Sequence, residues 1–214
     1  MKLICFSNNT AGGLLCNLLN KNFDLEKHHQ FTYRVSSQHH EEFKFGDSPS
    51  IQKNLDLTLW NKKIEDWGND TSWVCTHAHP SIIPDLSIFE EIIAITTLTR
   101  TSQLYRWLRY YHGWFKIADP TWIESNNITP IDKVRCLAYN VFEPFEAHPL
   151  CKNIEFEDIV SGKFVQENNL DQEYFNEWKQ RNPWLYPVEQ NSWAVKRFNE
   201  AEYEILYKTP YEYI

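Results

Sequence analysis

Leu3-Ile4-Cys5-Phe6-Ser7-Asn8-Asn9-Thr10-Ala11-Gly12-Gly13-Leu14-Leu15-Cys16-Asn17-Leu18-Leu19 is the stretch on which the fold class turns. A short apolar run with no polar alternation reads as a buried strand, and Ser7 to Gly13 break it with small and polar residues. Leu14, Leu15, Leu18 and Leu19 then recur at helical spacing. A strand, a polar loop and a helix in this order aim the free N–H groups of the helix start, with the positive end of its dipole, into the loop. Such a loop suits an anion, above all a phosphate.

Working outward, further segments repeat the alternation of strand and helix. A helix is predicted from near Ser50 to Trp67, with Ile51, Leu55, Leu59 and Ile64 on one face and Gly68-Asn69-Asp70 as its stop. Trp73 to His77 reads as a second buried strand, and Ala78-His79-Pro80 leads off its end. Ile82 to Phe89 is a connector or a short helix. Glu91 to Thr97 is the clearest β run in the chain; its β-branched residues without polar alternation predict a central strand covered on both faces. Helices are predicted over Ile131 to Tyr139, from Asp171 to Asn182 and over Ser192 to Tyr207, with a short strand at Asn153 to Phe156. This order predicts a single α/β domain spanning residues 1–214, three layers deep, with a mostly parallel sheet between helices.

Composition sets the bounds. The chain has 214 residues, 42% of them hydrophobic and 15% aromatic, enough to bury one substantial core. A formal net charge of −8 argues against a broad nucleic-acid-binding face. No apolar run is long enough to span a bilayer, and Met1-Lys2-Leu3 runs straight into the first strand, which predicts a soluble, cytoplasmic protein. Cys5, Cys16, Cys75, Cys136 and Cys151 are odd in number, scattered and never spaced as C-x-x-C. They read as reduced, buried thiols rather than as disulfides or zinc ligands. The pairs His28-His29 and His39-His40 have no Cys or carboxylate completing a ligand spacing, so no metal site is expected.

Two further places carry chemistry. His77 and His79 follow the end of the second strand, and carboxyl ends of parallel strands are where ligands collect, so a histidine there is a candidate for proton transfer. After the third strand come hydroxyls and then an aromatic, basic helix: Leu98-Thr99-Arg100-Thr101-Ser102-Gln103-Leu104-Tyr105-Arg106-Trp107-Leu108-Arg109. Ser102 is placed to cap it, Arg106 and Arg109 share a helical face, and Arg100 stands near the strand end. The arginines form a local anion-binding signal in an acidic chain, or a solvated face paired with some of its 29 acidic residues.

This order of elements resembles the P-loop-like sulfotransferases. Their first loop runs basic residue, Ser, Gly, hydroxyl, hydroxyl before Leu-Leu-x-x-Leu-Leu, which Leu14-Leu15-Cys16-Asn17-Leu18-Leu19 matches. In the loop, Thr10 matches the Ser, Ala11 replaces the Gly, Gly12 and Gly13 replace the hydroxyls, and Asn9 stands where the family has Lys or Arg. Thr76-His77-Ala78-His79-Pro80 is similar to the family's Thr-His-Leu-Pro, whose His is the general base, with either His77 or His79 as its counterpart. The resemblance implies transfer of a sulfuryl group from 3′-phosphoadenylyl sulfate to a hydroxyl or amine of a small-molecule or glycan acceptor, without a metal. The amides of Asn9 to Gly13 would hold the 5′ phosphosulfate. Arg100, Ser102 and Arg106, in a shifted register, would grip the 3′-phosphate. Asn9 in place of the cation leaves two alternatives open: a homodimer whose partner supplies the basic residue, and a non-catalytic relative that binds a nucleotide, glycan or protein. A nucleotide kinase is disfavoured because G-x-x-x-x-G-K-[ST] is absent.

Overall fold

A computed structural model describes residues 1–7, 10–21, 57–67, 72–110 and 144–182. The chain is α/β. Four strands, β1 (Lys2–Phe6), β2 (Trp73–Thr76), β3 (Glu91–Thr96) and β4 (Lys152–Glu155), form an all-parallel sheet in the order β2-β1-β3-β4. β1 is hydrogen-bonded on both edges, with Lys2 in register with Trp73 on one side and with Glu91 on the other. The strand order reverses there: β2 lies to one side of β1 and β3 to the other. In open parallel sheets such a reversal, here between β1 and β3, is where ligand crevices form off the carboxyl ends of the strands.

Both faces of the sheet are covered, as the unalternating apolar runs require. On one face, Ile4, Phe6, Trp73, Cys75, Ile93 and Ile95 pack with Leu14, Leu15 and Leu18 of helix α1 (Gly12–Asn20). Three C-terminal helices complete this layer: α4 (Phe156–Val160), α5 (Lys163–Glu167) and α6 (Gln172–Arg181), through Phe156, Ile159, Val165, Phe175 and Trp178. On the other face, Leu3, Cys5, Val74, Ile92 and Ala94 meet Trp60 and Ile64 of helix α2 (Leu57–Trp67), together with Ile83, Phe89 and Phe145. Each fully buried Leu, Ile or Phe stabilises the layers by roughly 1.5–3 kcal/mol relative to exposure. Helix α3 (Arg100–Tyr110) leaves the end of β3, and its Tyr105 leans on the first layer.

Polar groups inside the layers find partners. Asn17 Nδ2 donates to the Tyr174 hydroxyl at 2.9 Å, tying α1 to α6. The Asn20 amide acts as a piece of strand: its Nδ2 donates to Trp73 O and its Oδ1 accepts from Trp73 N, both at 2.8 Å. That pairing satisfies the first residue of β2.

Several sequence expectations shift. Of the helix predicted from Ser50 to Trp67, the part Leu57–Trp67 is observed and residues 50–56 lie outside those described; its buried anchor is Trp60. The segment after β2 forms a single 3-10 turn at Pro80–Ile82 and otherwise a connector. Phe156, expected at the end of a strand, is the first residue of α4, because its ring turns into the core beside Ile159 and Val160. The histidine pairs at 28–29 and 39–40 and the helices predicted over 131–139 and 192–207 lie outside the described residues.

Helix α6 matches its prediction. Asp171 caps it by accepting from Tyr174 N at 2.8 Å, Tyr174 and Trp178 share the buried face, and Lys179 and Arg181 lie in the last turn. Asp171→Ala is expected to cost about 1 kcal/mol of stability, the usual worth of an N-cap. Urea denaturation would read this as a lowered midpoint at unchanged slope; an unaltered midpoint would show that the cap contributes nothing here.

Candidate functional site

The loop between β1 and α1 is built by three local features. Thr10, fully buried, donates its Oγ1–H to Ser7 O at 2.7 Å and so closes the turn. Ala11 takes the left-handed conformation, at φ 57° and ψ 25°, and delivers the chain into α1 without any side-chain cap. The first turn of α1 holds no acidic residue. Gly12 stands where any Cβ would drive into the Phe6 ring, so the close approach of α1 to the end of β1 requires glycine. Asn9, the position of the expected cation, lies outside the described residues, while Thr10, Ala11, Gly12 and Gly13 form the loop exit and the start of the helix.

The end of β2 at Thr76 and the turn at Pro80–Ile82 separate the two histidines that the sequence left equivalent, which strand alternation alone would put on one face. His77 lies on the α1 side of the sheet. It is 4% exposed, with its ring centroid 4.2 Å from that of Phe6. His79 lies two residues further, where it caps the turn at Pro80–Ile82. Its Nδ1 accepts from Ser81 N at 3.2 Å and meets Ser81 Oγ at 2.7 Å, while Nε2 lies 3.2 Å from Glu146 O. A backbone N–H can only donate and a carbonyl can only accept, so Nδ1 is bare and Nε2 carries the hydrogen. His79 is therefore a neutral clasp between the end of β2 and residues 144–148. The same segment is held from β3, where Thr97 N donates to Phe145 O at 3.1 Å and Phe145 N donates to Thr97 Oγ1 at 2.8 Å.

The turn from β3 into α3 departs from expectation. Its cap is Thr99, whose Oγ1 accepts from Ser102 N at 3.1 Å, and Ser102 sits inside the first turn. Ser102 is fully buried and its Oγ accepts from Glu157 N at 3.0 Å, so it caps α4 instead. Two carboxylates knit the turn together. Glu155 accepts from Thr96 Oγ1 at 2.6 Å and from Thr99 N at 3.1 Å, and Glu157 accepts from Thr99 Oγ1 at 2.9 Å. At 100° per residue, Arg100 falls on the far side of α3 from Ser102 and Arg106. Accordingly Arg100 is exposed whereas Arg106 is 1% exposed. The structure thus brings Ser102 and Arg106 to one buried face and leaves Arg100 off it. An anion at the Thr96–Thr99 turn would face Glu155 and Glu157.

Glu155, Glu157, Thr99 and Phe6 are the residues of this edge that sequence reasoning missed. Thr99 carried a signal, a hydroxyl three residues before another at the start of a helix. The glutamates are more than fifty positions away and carried none.

Among the described residues, no group of three or more His, Cys, Asp or Glu could hold a metal ion, and no helix is long and apolar enough to cross a membrane. Cys5, Cys16, Cys75 and Cys151 are all free thiols. Comparison with protein-family models, with curated proteins and with solved structures finds no match.

Burial, with Cys151 and Cys75 nearby, pushes the Cys5 thiol well above its ordinary value. A hydrogen bond with Cys75 and then burial do the same for Cys16, and burial raises Cys151 to about 11. The folded chain therefore keeps protons that the unfolded chain releases near the ordinary value of 9.0. For Cys151 this stabilisation is complete below pH 9.0 and is lost as pH rises towards about 11. Urea midpoints are expected to fall across this window, and less steeply in Cys151→Ser; equal slopes in the two proteins would remove Cys151 from the account. Thr99→Ala, which deletes both a cap and a bridge to Glu157, is expected to cost about 1–2 kcal/mol, with Thr99→Ser restoring most of it. An alanine variant as stable as the parent would show that the turn is held by other contacts.

Proposed function

We propose that the carboxyl edge of this sheet is a sulfotransferase-type site. It binds 3′-phosphoadenylyl sulfate with the 5′ phosphosulfate on the β1–α1 loop and transfers the sulfuryl group to a hydroxyl or amine of a small-molecule or glycan acceptor. The observation that carries this reading is the uncapped start of α1. Left-handed Ala11 sends the chain into a nine-residue helix whose first turn has neither a side-chain cap nor an acidic residue, at the crevice where the strand order reverses. His77 on the adjacent strand end touches the same Phe6 that Gly12 abuts, which favours it over His79 as the base. In the transfer, the acceptor oxygen or nitrogen bonds to sulfur, the bond from sulfur to the 5′-phosphate oxygen breaks, and the acceptor's proton passes to His77. Adenosine 3′,5′-bisphosphate is the leaving group. The amides at the start of α1 would stabilise charge on the phosphosulfate.

Two observations favour a second reading, a protein that binds such a ligand without turning it over. His77 is nearly sealed from solvent, and the hydroxyls of Thr96, Thr99 and Ser102 are engaged with Glu155 and Glu157. On this reading the loop and crevice keep their affinity for a nucleotide or glycan and the transfer chemistry is lost.

Calorimetric titration with adenosine 3′,5′-bisphosphate tests the site, and both readings fail if millimolar ligand does not bind. Given binding, transfer of labelled sulfate to a panel of hydroxyl and amine acceptors separates them. His77→Ala is expected to lower the rate at least about a hundredfold while leaving affinity within about threefold. A variant as fast as the parent would reject His77 as the base.

A further inference from the structure

We infer that Cys16 and Cys75 form a redox pair: hydrogen peroxide joins their sulfurs in a disulfide that fastens helix α1 to strand β2. Cys16 lies midway along α1 and Cys75 is the third residue of β2, and the fold brings the two side chains together. Alternation puts Trp73 and Cys75 on one face of β2, the face that α1 covers, and all three residues belong to one buried cluster. The Cys16 thiol donates to Trp73 O at 3.2 Å, and Cys75 is hydrogen-bonded to the same sulfur. Asn20, one helical turn after Cys16, fixes this contact. Its amide holds Trp73 N and O at 2.8 Å each, and its Nδ2 also lies 3.5 Å from Cys16 Sγ. Cys5 and Cys151 are placed differently, in and against the core on the opposite face of the sheet.

Sulfurs in hydrogen-bond contact have only to close to the roughly 2 Å of an S–S bond. In the first step the Cys16 sulfur, 6% exposed against 1% for Cys75, attacks one peroxide oxygen. The O–O bond breaks, Cys16 becomes a sulfenic acid, and the other oxygen leaves as water with the thiol proton. In the second step the Cys75 sulfur attacks the sulfenic sulfur. The S–O bond breaks, the S–S bond forms, and the Cys75 proton departs with the oxygen as a second water. Two thiols thus lose two electrons, and one peroxide is reduced to two waters. The hydrogen bond with Cys75 and then burial keep Cys16 as a thiol, so the pair is reduced at rest and reacts slowly. Once closed, the link between positions 16 and 75 restricts the unfolded chain and so favours the folded one.

The experiment treats the native full chain with hydrogen peroxide, alkylates the remaining thiols in denaturant and maps the peptides by mass spectrometry. The expected product is a pair of peptides two hydrogens lighter than their sum, with fragmentation placing the bridge between Cys16 and Cys75. It forms equally in Cys5→Ser and Cys151→Ser, and dithiothreitol reverses it. The oxidised chain is expected to unfold at higher urea than the reduced one, a gain absent from Cys75→Ser treated in the same way; if that variant does not fold, Cys75→Ala replaces it. No bridge, a bridge to Cys5 or Cys151, a bridge formed only in chain unfolded beforehand, or Cys16 driven to sulfinic acid beside an untouched Cys75 overturns the pair. A bridge between Cys16 and Cys75 that leaves the urea midpoint unmoved overturns the fastening.

Discussion

The hydrogen-bonding of β1 on both edges, with both faces buried, is the constraint from which the other features follow. A five-residue strand is too short to be stable alone, so Leu3, Ile4, Cys5 and Phe6 persist only while β2, β3 and both helical layers hold them. In return, β1 fixes the level at which the neighbouring strands end. Cys5 is paired with Thr76 and Phe6 with Ile95, so the turns after β1, β2 and β3 start within one residue of the same height. The loop, the histidines and the arginine helix meet at one edge for this reason.

That edge is built differently at its two ends. Towards β2 and β1 it is aromatic and backbone-rich, with Phe6, His77 and the start of α1. Towards β3 and β4 it is carboxylate-rich, and Thr96, Thr99 and Ser102 serve to lock α3 and α4 to the sheet. The hydroxyls there stabilise the fold. Arg106, buried beside Ser102 on α3, belongs to the interior more than to the surface.

What could be read from the sequence was what depends on local pattern. β1, β2 and β3 are apolar runs without alternation, which only a sheet covered on both faces explains, and α1 and α6 carry helical spacing with recognisable stops. What could not be read depends on contacts distant in sequence. Glu155 meets Thr96 across 59 positions and Glu157 meets Ser102 across 55, and nothing in either segment marks the other. Ser102 looked like a cap because a hydroxyl before an aromatic helix usually is one; Thr99 holds that place, and Ser102 caps a helix from elsewhere in the chain. The choice between His77 and His79 needed the strand's exact end, since the two would share a face had β2 run on through both.

The parallel order has a consequence during synthesis. Lys2 pairs with Trp73 and Glu91, so the central strand is made 71 residues before its first neighbour and 89 before its second. Until Trp73 to Thr76 are made, this apolar segment has both edges open, and one edge stays open until β3 follows. Parallel pairing over such separations is slow, because loop closure precedes any reward from contact. On the ribosome, the nascent chain therefore presents Leu3 to Phe6 as a sticky strand, unpaired until Thr76 has emerged and half-paired until Ile95 has, a natural binding site for chaperones that shield extended apolar peptides.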